Sequence, residues 1–247
     1  KKENADKKEF ECPLALTKCP NCHLIQLTHV VPPDLMFLDY LYVSSTTQTF
    51  RKHFADYAQD VKDRLIKKDH AVGVDIGSND GLLVSCYEKV GMKGIGVEPA
   101  KNLSAEANRN GITTINRYFD APCVQEILSR YGKASVISAN NVFAHIDDIQ
   151  SVCKNVNDLL DDRGFFVIEF PYLVTMLEKM FFDMIYHEHL SYIGITALAY
   201  LFKRFDLKIF DIKEVSSHGG SLRVFVQKKQ GPYETQQVVQ NLLKKEK

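Results

Sequence analysis

The chain has 247 residues, with 31 Lys and Arg against 31 Asp and Glu, 45% hydrophobic residues and 25% charged ones. That is globular composition; it excludes a disordered or collagen-like chain and leaves room for one large domain plus a small satellite. Zero formal net charge argues against a nucleic-acid protein that relies on a bulk positive field. No apolar run approaches the roughly 20 residues that cross a bilayer, so no membrane partner is expected either. Lys1 to Phe10 is polar and Lys-rich, without the apolar stretch of a signal peptide. Six scattered Cys make no disulfide framework and point to a reducing compartment, so a soluble cytoplasmic enzyme is expected, of open oligomeric state.

In chain order, residues 11–30 carry Cys12, Cys19 and Cys22 between short β-prone runs, the clearest being 24–31. Pro32 and Pro33 then stop any regular element, because neither donates a backbone hydrogen bond. Apolar residues recur at helical spacing over 34–68, with a break at 40–47 where Tyr, Ser and Thr predict a loop facing a ligand. From Ala71 the pattern changes. Ala71–Ile76, Gly94–Glu98, Ser135–Ala139 and Phe165–Phe170 read as buried parallel strands. Leu82–Val90, Ala100–Asn110 and Ile146–Leu160 between them read as amphipathic helices. This alternation predicts a doubly wound α/β sheet. Leu207–Val215 and Leu222–Gln227 flank Gly219-Gly220 and predict an antiparallel pair at the end.

Val74-Asp-Ile-Gly-Ser-Asn-Asp-Gly81 follows the first of these strands and opens a helix. Gly77 allows a sharp turn, Gly81 a close backbone approach to a ligand, and the helix N-terminus offers free N–H groups. The dinucleotide fingerprint is broken, since Asn79 replaces the middle glycine and Asp80 adds a negative charge that repels phosphate but not a sulfonium. Glu98 ends the next strand about 20 residues on, where an acid bonds ribose hydroxyls. These features favour S-adenosylmethionine over NAD. Asn140 and Asn141 end the following strand and are candidate contacts to cofactor or substrate, although Asn141 also reads as a helix cap.

Ile185-Tyr-His-Glu-His-Leu-Ser-Tyr192 packs ionisable residues tightly beyond the next strand. His187-Glu188-His189 fits no zinc spacing, whereas a His beside a carboxylate makes a general base near neutral pH. Adjacent residues diverge, so at most two of those three are expected to share a pocket. Cys19-Pro-Asn-Cys22 is half a zinc ribbon, with no second C-x2-C to complete it. Cys12, His23 and His29 lack persuasive spacing, and Cys86, Cys123 and Cys153 read as core residues.

Taken in series, these motifs resemble one family. They are 13–27 with Cys19-Pro-Asn-Cys22, Tyr40-Leu-Tyr-Val-Ser-Ser45, Asp75–Gly81, Gly96-Val-Glu-Pro-Ala100, Asn141–Asp148, Glu169-Phe-Pro-Tyr172, Tyr186–Tyr192 and His218-Gly-Gly-Ser-Leu-Arg223. The chain is similar, nearly end to end, to the S-adenosylmethionine-dependent sugar C-methyltransferases that act on nucleotide-linked keto-deoxysugars. The resemblance implies a four-Cys structural zinc module, a class I (Rossmann-like) methyltransferase core and a C-terminal α/β domain. On that reading 1–33 is a remnant of the zinc module, leaving an incomplete zinc site at Cys19 and Cys22. Residues 34–70 form a helical, substrate-facing segment, 71–230 the core, and 231–247 the start of a further domain. Tyr186, Glu188 and His189 match the family's catalytic cluster, with His189 the base oriented by Glu188. His145 lies in the same cleft, and Tyr40 or Tyr42 reaches in from the N-terminal side. The implied reaction removes a proton α to a ketone, and the enolate carbon takes the methyl group. An O- or N-methyltransferase on the same fold, and a non-catalytic binding module, are the rival readings.

Overall fold

The computed structural model describes residues 10–66 and 69–246, with His218 described in its backbone alone. The expectations for residues 1–9 and for Lys247 lie outside the described residues. A small antiparallel sheet is built from β1 (Leu16–Lys18), β2 (Ile25–Leu27) and β8 (Ser191–Tyr192), in the order β1-β2-β8. The connection into the core runs through α1 (Asp34–Phe37) and the 17-residue α2 (Gln48–Arg64). Thr47 caps α2 by accepting the Phe50 N–H at 3.2 Å, which satisfies one of the donors a helix start leaves free.

The core alternates strand and helix: β3 (Val72–Ile76), α3 (Leu82–Lys89), β4 (Lys93–Val97), α4 (Lys101–Arg109), β5 (Thr114–Ile115), α5 (Ala121–Tyr131), β6 (Ala134–Asn140), α6 (Ile149–Leu159) and β7 (Leu160–Pro171). It continues through α7 (Leu173–Glu178), α8 (Ile195–Lys203), β9 (Leu207–Val215), β10 (Ser221–Lys228) and α9 (Gln237–Lys245). The seven-stranded sheet runs β5-β4-β3-β6-β7-β10-β9. β5 to β7 are parallel, whereas β10 pairs antiparallel with both β7 and β9. Strands β3 and β6 lie side by side but send the chain to opposite edges. That topological switch point opens a crevice at their carboxyl ends.

The strands read as continuous apolar runs because both sheet faces are covered. Val74, Ile95, Ile137, Phe166 and Ile168 are fully buried under the helices. Among the elements the pattern reading does not name are β5, α5, α8 and α9; for β5 and α5 the reason is local. The strand is only two residues long, and the helix announces itself through a cap: Asp120 accepts the Cys123 N–H at 2.8 Å, with Pro122 in the first turn. The 34–70 segment does not stand apart, since α2 buries Phe54, Tyr57, Ala58 and Val61 against α3 and the sheet. Residues 231–246 pack on the core: Val239 and Leu242 of α9 are buried, and the Glu246 carboxylate accepts the Ile195 and Thr196 N–H groups at the start of α8. No helix among the described residues is long and apolar enough to cross a membrane.

Candidate active site

The loop after β3 turns through three left-handed residues, Gly77 at φ +65°, Asn79 at +54° and Gly81 at +81°. Asn tolerates this region better than most side chains because its short amide bonds locally. Gly77 is required by Val142, whose methyl carbon would lie 2.7 Å from an added Cβ. Gly81 differs from expectation. It caps α3, and an added Cβ would meet Ile112 at 2.7 Å, so protein packing and not a ligand occupies that direction.

Glu98, 6% exposed at the end of β4, accepts the Asn79 N–H at 2.8 Å on one oxygen and the Ala100 N–H at 2.8 Å on the other. Burial raises its pKa, and the Ala100 and Asn79 N–H groups act against that rise. Each oxygen keeps a lone pair, and Glu98 lines a cavity of about 840 Å³ at the carboxyl ends of β3, β4 and β6. Gly77, Asn79, Asn140 and Asn141 line the same cavity. Asn141 sits at φ +54° with its N–H donated to the Glu169 carbonyl at 2.7 Å. Its side-chain oxygen is buried and has no partner among the described residues. The capping alternative fails for Asn141, because Asp148 caps α6 by accepting the Ser151 N–H at 3.0 Å.

The Tyr186–His189 cluster lines the other side of this cavity. His189 Nδ1 lies 2.8 Å from the Met184 carbonyl, which can only accept, so Nδ1 carries a proton and, in the neutral ring, Nε2 presents a lone pair. The Tyr186 hydroxyl donates to that lone pair at 2.9 Å. The Glu188 carboxylate receives the Tyr40 hydroxyl at 3.0 Å, and the Met184 carbonyl holds the Nδ1 side of His189. Adjacent side chains diverge, which also carries His187 away to the Cys12 carbonyl at 3.0 Å. Of the two tyrosines, Tyr40 bonds the 186–189 cluster, whereas Tyr42 lines the cavity nearer Asp80 and is half exposed. The His145 ring lies 5.0 Å from that of His189 and is stacked on Phe37 at 5.9 Å.

Behind the site Glu169, fully buried on β7, faces its register partner Arg223 on β10. Arg223 binds it at 2.9 and 3.0 Å, and His53 lies at 2.8 Å. Burial opposes ionisation, but the His53 hydrogen bond and the Arg223 charge outweigh it and hold the carboxyl below its ordinary pKa. Both ends of this pair sit in motifs that the sequence reading had singled out without assigning them a role. Phe37, Asn102 and Met184 were missed, because a ring stack, a side-chain clamp and a backbone carbonyl leave no mark in residue type.

Cys19 and Cys22 share one turn. The N–H groups of Cys22 and Asn21 lower the pKa of Cys19, while burial raises that of Cys22. Among the described residues no three His, Cys, Asp or Glu side chains converge, so they supply a thiol pair and not a tetrahedron.

A parallel sheet with an antiparallel hairpin at one edge, a glycine turn at its switch point and an acid ending the next strand define a class I S-adenosylmethionine-dependent methyltransferase fold. The chain belongs to the family whose model is described as a methyltransferase domain, which matches residues 50–212. A second family model, whose description as a zinc-binding domain is itself provisional, matches residues 1–37. C-methyltransferase NovU of Streptomyces niveus is 35% identical over 235 residues, 95% of this chain and 56% of that protein, so the chain spans just over half its relative's length. Among solved structures, PH0226 protein from Pyrococcus horikoshii has a TM-score of 0.56 at 14% identity, covering 76% of this chain and 94% of that one. Magnesium protoporphyrin IX methyltransferase from Synechocystis, solved with bound SAH, has a TM-score of 0.53 at 13% identity, covering 74% and 88%. At such identities the likeness concerns the fold alone.

Proposed function

We propose that this chain carries the S-adenosylmethionine site and the acid–base residues of a C-methyltransferase acting on the carbon α to the ketone of a nucleotide-linked keto-deoxysugar. The observation that carries this reading is the hydrogen-bonded series Tyr186–His189–Met184 on the same cavity as Glu98. An O- or N-methyl acceptor has a lone pair already, whereas carbon needs a strong base beside the methyl donor.

The cavity fits the cofactor. Glu98 has lone pairs left for two ribose hydroxyls, the Asn141 side-chain oxygen awaits a donor, and the loop's charge is negative where a sulfonium is positive. When bound, S-adenosylmethionine supplies an electrophilic methyl group. The chain's own residues do the rest. The substrate's α-proton passes to the Tyr186 oxygen as the phenol proton passes to His189 Nε2, and the Met184 carbonyl keeps the resulting imidazolium in place. His145 faces the same space and donates to the enolate oxygen. Holding carbon and methyl in line accounts for much of the remaining acceleration. Cys19 and Cys22 supply half of a structural zinc site away from this chemistry. Solvent-deuterium exchange at the α-carbon of such a substrate tests the reading, because O- and N-methylation leave that hydrogen in place.

A further inference from the structure

The residue that breaks the glycine fingerprint is the most heavily bonded one in the cofactor loop. Asn79 gives its own N–H to Glu98, and its side-chain amide works like a peptide group toward the chain crossing above. Its nitrogen donates to the Tyr42 carbonyl at 2.9 Å, and its oxygen accepts the Ser44 N–H at 2.9 Å. Asp80 adds a second hold by accepting the Ser45 N–H at 3.2 Å. Two residues earlier on the crossing segment, at Tyr40, Asn102 of α4 repeats the device: its nitrogen donates to the Tyr40 carbonyl at 2.8 Å, and its oxygen accepts the Tyr40 N–H at 3.3 Å.

The segment so held has no hydrogen-bonded element of its own between α1 and Ser44. Its residues alternate as an extended chain does. Tyr40, Tyr42 and Ser44 line the cavity, while Leu41 between them is 90% exposed. Nothing in the intrinsic preference of such a segment fixes Tyr40 opposite Glu188, so two side-chain clamps substitute for a neighbouring strand.

We propose that Asn79 and Asn102 are positioning residues that seat segment 40–44 across the cofactor loop, so that the geometry of the cofactor site is transmitted to the Tyr40–Glu188 pair. Asn at position 79 meets two requirements together, the left-handed backbone and the amide that reads the strap. The proposal rests on the cofactor reading for the occupant of the loop, while the clamp itself stands on the hydrogen bonds.

Asn79→Gly keeps the backbone angle and the N–H to Glu98 while removing the clamp; Asn102→Ala removes the other clamp outside the loop. Hydrogen–deuterium exchange by mass spectrometry, run on the whole chain with and without S-adenosylhomocysteine, reads the peptide spanning 38–47. Losing two side-chain hydrogen bonds is expected to speed its exchange about tenfold or more in each variant, with peptides from β3 and β6 unchanged. S-adenosylhomocysteine is expected to slow the same peptide in the wild-type chain but not in Asn79→Gly. NMR titration of labelled tyrosine, assigned with Tyr40→Phe, adds a signature confined to Tyr40, whereas a general loss of structure would return buried Tyr57 and Tyr87 to the ordinary range as well. Burial and Glu188 hold Tyr40 protonated beyond the ordinary range, and each variant is expected to bring its ionisation back toward about 10.

Unchanged exchange and unchanged Tyr40 titration in both variants overturn the proposal. A loss of S-adenosylhomocysteine affinity in Asn79→Gly without faster exchange at 38–47 overturns it too, and makes Asn79 a direct cofactor contact. Failure of the wild-type chain to bind S-adenosylhomocysteine overturns the cofactor reading and the transmitted coupling; the ligand-free arms still decide the clamp.

Discussion

The Tyr40 hydroxyl donates to a Glu188 carboxylate oxygen at 3.0 Å, joining residues 148 positions apart across the mouth of the cavity. Tyr40→Phe removes a hydrogen bond to a charged group, worth about 1.5–3 kcal/mol, so methyl transfer is expected to fall roughly 10- to 150-fold. Tyr42→Phe leaves that pair intact and is expected to change the rate by less than about threefold. Steady-state kinetics on the two variants checks both, and an equal loss in each contradicts the assignment of Tyr40.

Glu98 holds two N–H groups before any ligand arrives, so Glu98→Gln turns an amide donor toward a backbone donor. Affinity for S-adenosylhomocysteine, read by calorimetry, is expected to weaken at least about tenfold. Unchanged affinity removes Glu98 from the cofactor site, and preferential binding of NAD removes the cofactor reading.

Asp75 sits buried at the end of β3, with the Ser138 hydroxyl 2.6 Å away. Burial raises its pKa from 3.8 to about 7, the Ser138 hydrogen bond resisting and the Glu98 charge assisting. The folded state therefore holds this proton more tightly than the unfolded chain does, and stability falls as pH rises from about 4 to 7. The shift corresponds to on the order of 4 kcal/mol at about 1.4 per unit, as an upper figure. Asp75→Asn lacks this titration, so its melting temperature relative to wild type is expected to rise across that window. A constant difference between pH 4 and 8 contradicts it.

Glu169 and Arg223 are in register on neighbouring strands and shielded from water. Arg223→Met leaves the buried carboxylate with His53 and Ser217 but without its permanent cation, and is expected to cost up to about 3–5 kcal/mol in urea unfolding. Replacing both, with Glu169→Leu, is expected to restore much of that loss, since the penalty lies in the unpaired charge.

The sheet was legible because buried parallel strands are apolar throughout, and Val74, Ile95 and Ile137 advertise them. Leu207–Val215 was located to the residue, set off by the Gly219-Gly220 turn that follows it. That Tyr186 and His189 share a cavity with the loop at Gly77 and Asn79 was legible from residue type. Their wiring was not. That Glu188 meets Tyr40 depends on how 40–44 crosses the loop, a contact made over a long sequence separation with no periodic signature. The Met184 carbonyl that orients His189 belongs to the backbone, and every residue has one. Gly81 shows the converse error, since a glycine demanded by Ile112 reads in sequence like one demanded by a ligand.

Carbon methylation requires that a carbon-bound hydrogen leave before the methyl arrives, and the proposed reaction assigns that step to the Tyr186–His189 pair. The most direct measurement combines NMR of the product, formed from cofactor with a labelled methyl group and a nucleotide-linked keto-deoxysugar, with deuterium uptake at the α-carbon in heavy water. The expected result is a methyl bonded to carbon, with α-hydrogen exchange in the wild-type protein. His189→Asn, which keeps the shape but removes the proton acceptor, is expected to lower exchange and methylation together by roughly 10²–10⁴-fold. A methyl found on oxygen, with no exchange at carbon, contradicts the proposed reaction.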